Sequence, residues 1–235
     1  MKVFSTFILL ILELRIVKKS VIVIGASIVA AALIFSVYPS LVQENLNLEM
    51  QRQHGTVDTA LASPLLGSSS APITIIEFGD YQCPNCKQWF LDTKPDIITN
   101  FIDTQKVNLI YVDIAFLGRD SGPAAQASYC AEDQGKYWEY HGIMYTNAMG
   151  VDTGWANSER LKAFAFDLGL DMELFESCLD SGKYKKRVQS NTRESAKNGV
   201  AGTPTFFIIG PDNQQKIING PQPYSVFKNV IESMM

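Results

Sequence analysis

Apolar and polar positions alternate in three distinct regimes along the chain. From Ser20 to Tyr38 there are 19 residues without a charge. At about 1.5 Å per residue this run crosses most of a hydrocarbon core about 30 Å thick, so it predicts a transmembrane helix. Lys18 and Lys19 stand immediately before it; basic flanks stay in the cytoplasm, which places everything after Tyr38 outside the cell membrane. A cleaved signal peptide is the competing reading, but the run is long for such a segment and no clear small-x-small site follows. The earlier apolar stretch Val3 to Leu12 is too short to span alone. Ser40 to Pro72 is polar and ends in Gly67-Ser-Ser-Ser, the composition of a linker. The pattern therefore divides the chain into a membrane anchor or signal segment (1–39), a linker (40–71) and a folded domain (72–235).

Within that domain Ile73 to Phe78 is a short β-branched apolar run, predicting a buried strand. From Cys83 to Ile102 apolar residues recur at Trp89, Phe90, Ile97, Ile98, Phe101 and Ile102, a helical spacing that Pro95 should kink or split. Val107 to Ile114 is the next strand, and strand, helix, strand in this order make a βαβ unit with a parallel pair. About 120–198 is helix-compatible, with glycine punctuation near Gly150, Gly154 and Gly169 and a stop at Gly199. Thr205 to Ile209 and Gln215 to Ile218, joined by Gly210-Pro-Asp-Asn, read as an antiparallel hairpin, and Phe227 to Met235 as a closing amphipathic helix. The order is βαβ, a helical insertion, then ββα, an α/β fold.

Composition excludes some functions. The 46% hydrophobic content supplies a packed core. From Ser40 onward 16 Lys/Arg face 23 Asp/Glu, with no basic block to match a phosphate backbone, so no nucleic-acid partner is expected. The four cysteines are Cys83, Cys86, Cys130 and Cys178, an even set that permits three pairings and suits an exported location.

The chemistry concentrates in Cys83-Pro84-Asn85-Cys86. A thiol must be ionised to attack a disulfide, and a cysteine at a helix N-terminus gains from unpaired N–H groups and the positive end of the dipole. That place belongs to Cys83, the expected nucleophile. Cys86, one turn on, is positioned to attack the mixed disulfide that Cys83 forms with a client. Pro84 suits the first helical position, having no N–H to lose.

The stretch Ile75-Ile-Glu-Phe-Gly-Asp-Tyr-Gln-Cys-Pro-Asn-Cys86 resembles the active-site strand and helix of DsbA-like proteins of the thioredoxin superfamily, and Gly202-Thr-Pro-Thr-Phe-Phe-Ile208 resembles their second signature. Ala127 to His141 and Phe175 to Tyr184 look like their helical insertion, so the likeness runs from about Pro64 to Met235. It implies a thioredoxin fold with an inserted helical domain and thiol:disulfide exchange with exported proteins. It also implies a cis bond at Thr203-Pro204, with Thr203 beside the Cys83 sulfur where a client peptide pairs like an added strand. Thr203, Pro204, Pro84 and Asn85 are thus the expected client-binding residues. Glu77 matches the buried acid beneath the active-site disulfide, where a raised pKa suits proton exchange with the resolving thiol. In relatives carrying cysteines at the two insertion positions these pair, which implies a structural Cys130–Cys178 bridge closing about 50 residues, worth on the order of 3 to 4 kcal/mol by chain entropy. The expected direction is oxidation of client thiols, followed by reoxidation through a membrane quinone reductase of the DsbB or VKOR type; reduction or isomerisation is the alternative. Pro84-Asn85 departs from the Pro-His of the best-known oxidants, removing a histidine's help to the thiolate. A monomer is favoured, since Ser40 to Ser70 is short and polar for a dimerisation domain.

Other chemistries fit less well. A tetrathiolate zinc site is opposed by the isolation of Cys130 and Cys178, because zinc knuckles come in pairs. A copper-binding chaperone using Cys83 and Cys86 is chemically reasonable for soft thiolates, yet methionines and histidines do not cluster nearby. No metal or cofactor is expected. His141, after Trp138 on a helical stretch, reads as a packing residue. Tyr81 and Gln82 are candidates to touch clients. Trp89 reads as core, and the Lys183 to Arg187 cluster as a solvated face.

Overall fold

The computed structural model describes residues 53–54 and 56–235; the expected membrane helix at Ser20 to Tyr38 lies outside the described residues. Among the described residues no helix is long and apolar enough to cross a membrane.

A two-residue ladder, β1 (Gln53–His54) with β2 (Val57–Asp58), precedes the main sheet. That sheet has four strands in the order β4 (Val107–Asp113), β3 (Ile73–Gly79), β5 (Thr205–Ile209), β6 (Gln215–Asn219). β3 pairs parallel with β4 and antiparallel with β5, and β5 and β6 form the hairpin. Every residue of β3 and β5, the two central strands, and of the edge strand β4 is buried, as expected of a sheet covered on both faces. Side chains alternate between those faces. Ile73 and Ile75 join Trp89, Ile97, Phe206 and Phe227 on one side, while Ile76 and Phe78 join Val112, Phe207 and Ile209 on the other.

Helix α1 (Pro84–Asp92) follows β3, and Pro95 splits the expected long helix. The chain passes through Thr93 into the short α2 (Lys94–Ile97) and a π-type turn at Ile98–Ile102. Five helices make the insertion: α3 (Ser121–Glu132), α4 (Tyr137–Asn147), α5 (Ser158–Asp167), α6 (Met172–Asp180) and α7 (Lys185–Lys197). Asn157 and Asp171 cap α5 and α6 with their side chains, each satisfying an orphan N–H of the first turn. Gly199 ends the insertion at φ +72°, the left-handed conformation that glycine adopts without steric cost. Helix α8 (Tyr224–Glu232) begins earlier than the apolar pattern indicates, directly after Pro223.

The expected linker needs correction at its end. Residues 56–71 are packed on the domain: Val57 and Ala62 are buried, and Leu66 pairs with Leu109 as an antiparallel bridge. Ser63 N–H donates to the Tyr111 carbonyl at 2.9 Å. The Leu61 carbonyl accepts from Arg187 and Asn191 of α7, each at 2.9 Å. Arg187 is therefore no solvated face residue; its guanidinium lies 3.7 Å from the Tyr129 ring centroid and pairs with Glu132 at 2.9 Å. Isolated apolar residues without a period hid this strap in the sequence.

Candidate active site

The insertion's core contains Cys83 and Cys86 as well as Cys130 and Cys178, so the redox pair sits where α1 meets the insertion. Cys83 and Cys86 are free thiols. Cys83 is the N-cap of α1, its sulfur accepting from the Cys86 N–H at 3.3 Å, and Pro84 occupies the first turn. Cys83 is 4% exposed and Cys86 fully buried, while Pro84 and Asn85 are exposed. A client sulfur therefore meets Cys83 first.

The electrostatics separate the two thiols. The hydrogen bond with the Cys86 thiol, helped by the Thr203 side chain and the N–H groups of Cys86 and Asn85, brings the Cys83 thiol from 9.0 down to about 6 against the opposing effect of burial. Burial, with the neighbouring Cys83, pushes Cys86 well above 9.0. One sulfur is the nucleophile and leaving group of the surface, and the other is a thiol that holds its proton. Titrating the 240 nm absorbance of the reduced protein should give a thiolate midpoint near pH 6; a midpoint near 9 would contradict this geometry.

Thr203 and Pro204 lie across from the pair. Their peptide bond is cis, and the Cys83 thiol donates to the Thr203 carbonyl at 3.4 Å. Pro204 is buried and Thr203 half-buried. Cys130 and Cys178 are joined as a disulfide between α3 and α6, with Cα atoms 5.8 Å apart. Among the described residues no group of three or more His, Cys, Asp or Glu is arranged to hold a metal.

Glu77 is fully buried on β3, and neither carboxylate oxygen has a hydrogen-bond partner among the described residues. Desolvation raises its pKa from 4.5 to about 8, with Lys94 opposing and Cys83 reinforcing the shift. The sequence reading passed over Lys94. It is 4% exposed, its ammonium lying over the Phe90 and Trp138 rings at 5.1 and 4.8 Å, and burial lowers its pKa from 10.5 to about 8. A signal was available: Lys94 follows Cys86 and Phe90 at i+8 and i+4, a charge on an otherwise apolar helical stripe. Lys94 bonds to His141 Nε2 at 3.0 Å, and Tyr81 to His141 Nδ1 at 3.0 Å.

Tyr81 and Gln82 point inward, both 1% exposed, so neither faces a client. Gln82 Nε2 donates to Ser121 Oγ at 3.0 Å, and its carbonyl oxygen accepts from Asp152 N–H at 2.6 Å. The overlooked Asp80 is the anchor here. Its carboxylate accepts from Gln82 N–H and Ser121 Oγ at 2.8 Å and from the Phe116 and Leu117 N–H groups at 3.1 Å, tying the loop before Cys83 to the insertion.

A family profile described as Thioredoxin matches residues 59–233. The chain is 30% identical over 172 residues to Disulfide bond formation protein D of Bacillus subtilis strain 168, covering 72% of this chain and 75% of that one. It is also 30% identical over 149 residues to a probable disulfide bond formation protein D of Bacillus anthracis, covering 62% and 69%. Among solved structures, oxidised BdbD from Bacillus subtilis superposes with a TM-score of 0.69 at 29% identity, over 77% of this chain and 96% of that one. Wolbachia pipientis alpha-DsbA1 gives 0.64 at 25%, over 72% and 89%. The chain belongs to the thioredoxin family and is a DsbA-like thiol:disulfide oxidoreductase.

Proposed function

We propose that the protein donates disulfides to exported proteins through Cys83 and Cys86. The observation that carries this direction is the asymmetry of the pair: a Cys83 thiolate stabilised at its helix N-terminus favours the reduced protein, which makes the oxidised form a disulfide donor. A client thiolate attacks Cys83 Sγ, and the Cys83–Cys86 bond breaks with its electron pair on Cys86. Glu77, largely protonated at neutral pH, passes its proton to Cys86, the more basic of the two. A second client thiolate then attacks the client sulfur of the mixed disulfide and releases Cys83 as the thiolate. Thr203 and Pro204 border the client's approach, with Pro84 and Asn85 on its exposed side.

The oxidant that restores the Cys83–Cys86 disulfide is of the membrane quinone-reductase class, DsbB-like or VKOR-like. A place outside the cytoplasm is supported by the uncharged Ser20 to Tyr38 run behind Lys18 and Lys19 and by the Cys130–Cys178 disulfide, a bond that persists in oxidising compartments. The test is transfer: the oxidised protein, mixed in stoichiometric amount with a reduced unfolded client, should become reduced as the client gains its disulfides. Net reduction of an oxidised client under the same conditions would reverse the assignment.

A further inference from the structure

Lys94 is the one buried cation near Glu77 among the described residues, yet the two make no ion pair and both Glu77 oxygens are unpartnered. The Lys94 amine is engaged elsewhere, at 3.0 Å from His141 Nε2. An amine on lysine only donates when charged, so Nε2 accepts; Nδ1 then carries the proton and donates to Tyr81 Oη at 3.0 Å. His141 is 1% exposed and enclosed by the rings of Tyr81, Tyr111, Trp138 and Tyr145 at 4.8 to 5.5 Å. Within this cage the imidazole stays neutral, since burial and the Lys94 charge push its pKa well below 6.5.

We propose that His141 is a positioning residue of the exchange reaction, holding Lys94 away from Glu77 so that the Glu77 carboxyl stays free to trade its proton with Cys86. An acid salt-bridged to lysine loses its proton at low pH and has none to deliver at neutrality, because an opposite charge within 4 to 6 Å lowers a carboxyl pKa by about 1 to 3 units. Desolvation of an unpaired Glu77 does the reverse. The other groups facing Glu77 are Cys83 and Cys86 from α1, Tyr111 from β4 and Tyr145 from α4. None of these carries a positive charge, so Lys94 alone can lower it by pairing. The inference rests on the proton-exchange role given to Glu77 above.

The test follows the Glu77 carboxyl directly, by its carbon-13 chemical shift against pH in the reduced full-length protein, a readout that needs no exchange activity. With His141→Phe, which keeps a ring in the cage but removes the acceptor, Lys94 is freed and the Glu77 midpoint should fall by about 1 to 3 units. His141→Gln retains an acceptor and should hold the midpoint near the unsubstituted value. Adding Lys94→Met to His141→Phe should abolish the fall, since the shift needs the amine. A midpoint unchanged in His141→Phe would overturn the proposal, as would a fall that persists without Lys94. If instead the midpoint falls as expected while the rate at which Cys86 leaves Cys83 stays the same, the positioning by His141 stands and the proton-exchange role of Glu77 fails.

Discussion

Replacing Cys86 with serine is expected to turn the protein into a trap. Cys83 remains the surface-facing member of the pair, 4% exposed against a fully buried Cys86, and its thiolate still caps α1 through the backbone N–H of residue 86. Attack on a client disulfide therefore proceeds, but no neighbouring sulfur is left to break the mixed disulfide. With a disulfide-bearing peptide in excess, most of the Cys86→Ser protein should accumulate as a covalent adduct on Cys83, visible by non-reducing electrophoresis and mass spectrometry. Turnover should fall to background. Cys83→Ser should trap nothing. A metal relay built on the same sulfurs would behave differently, losing metal affinity without forming adducts. Absence of trapped peptide on Cys86→Ser would count against Cys83 as the nucleophile.

The second large effect is on stability. Cys130 and Cys178 are 48 residues apart in sequence and join α3 to α6 inside the insertion's core. Cross-linking a loop of that length removes chain entropy from the unfolded state worth about 4 kcal/mol. For a domain of this size each kcal/mol moves the melting temperature by about 2–4 °C, so the Cys130→Ala/Cys178→Ala double variant should melt roughly 8–16 °C lower. The Cys83 thiolate midpoint and client trapping should be preserved where the variant is folded, because the hydrogen bonds that lower the Cys83 thiol come from Cys86, Thr203 and Asn85. Loss of exchange with melting unchanged would give this second pair a redox role in place of a structural one.

Much of the architecture is written locally. The β-branched run at Ile73, the apolar run at Val107 and the Gly210 turn between two strands each carry their own period and punctuation, and the helix cap at Cys83 follows from Cys-Pro at a strand end. What escaped the sequence depends on groups brought together from far apart. Lys94 and His141 meet across 47 positions, and no local pattern distinguishes a histidine that packs from one that also holds a lysine. Tyr81 and Gln82 stand beside the redox motif, yet Asp80 folds their loop inward by gathering donors from Gln82, Phe116, Leu117 and Ser121. Residues 56–71 look polar enough for a linker, but a few buried apolar side chains, backbone bonds to β4 and side-chain bonds from α7 hold them to the domain. In each case tertiary contacts overrode local composition.

The most direct measurement is the reduction potential of Cys83 and Cys86, obtained by equilibrating the protein against glutathione buffers of known ratio. Stabilising the Cys83 thiolate from an ordinary 9.0 to about 6 favours the reduced protein at pH 7 by on the order of 1 kcal/mol, or roughly 20 mV for a two-electron pair. The sign follows from the depressed pKa: the contribution is largest at alkaline pH and disappears as pH falls through about 6. A disulfide donor should give a potential less negative than about −180 mV, whereas a value below about −250 mV would mark a reductase and contradict the direction proposed for this protein.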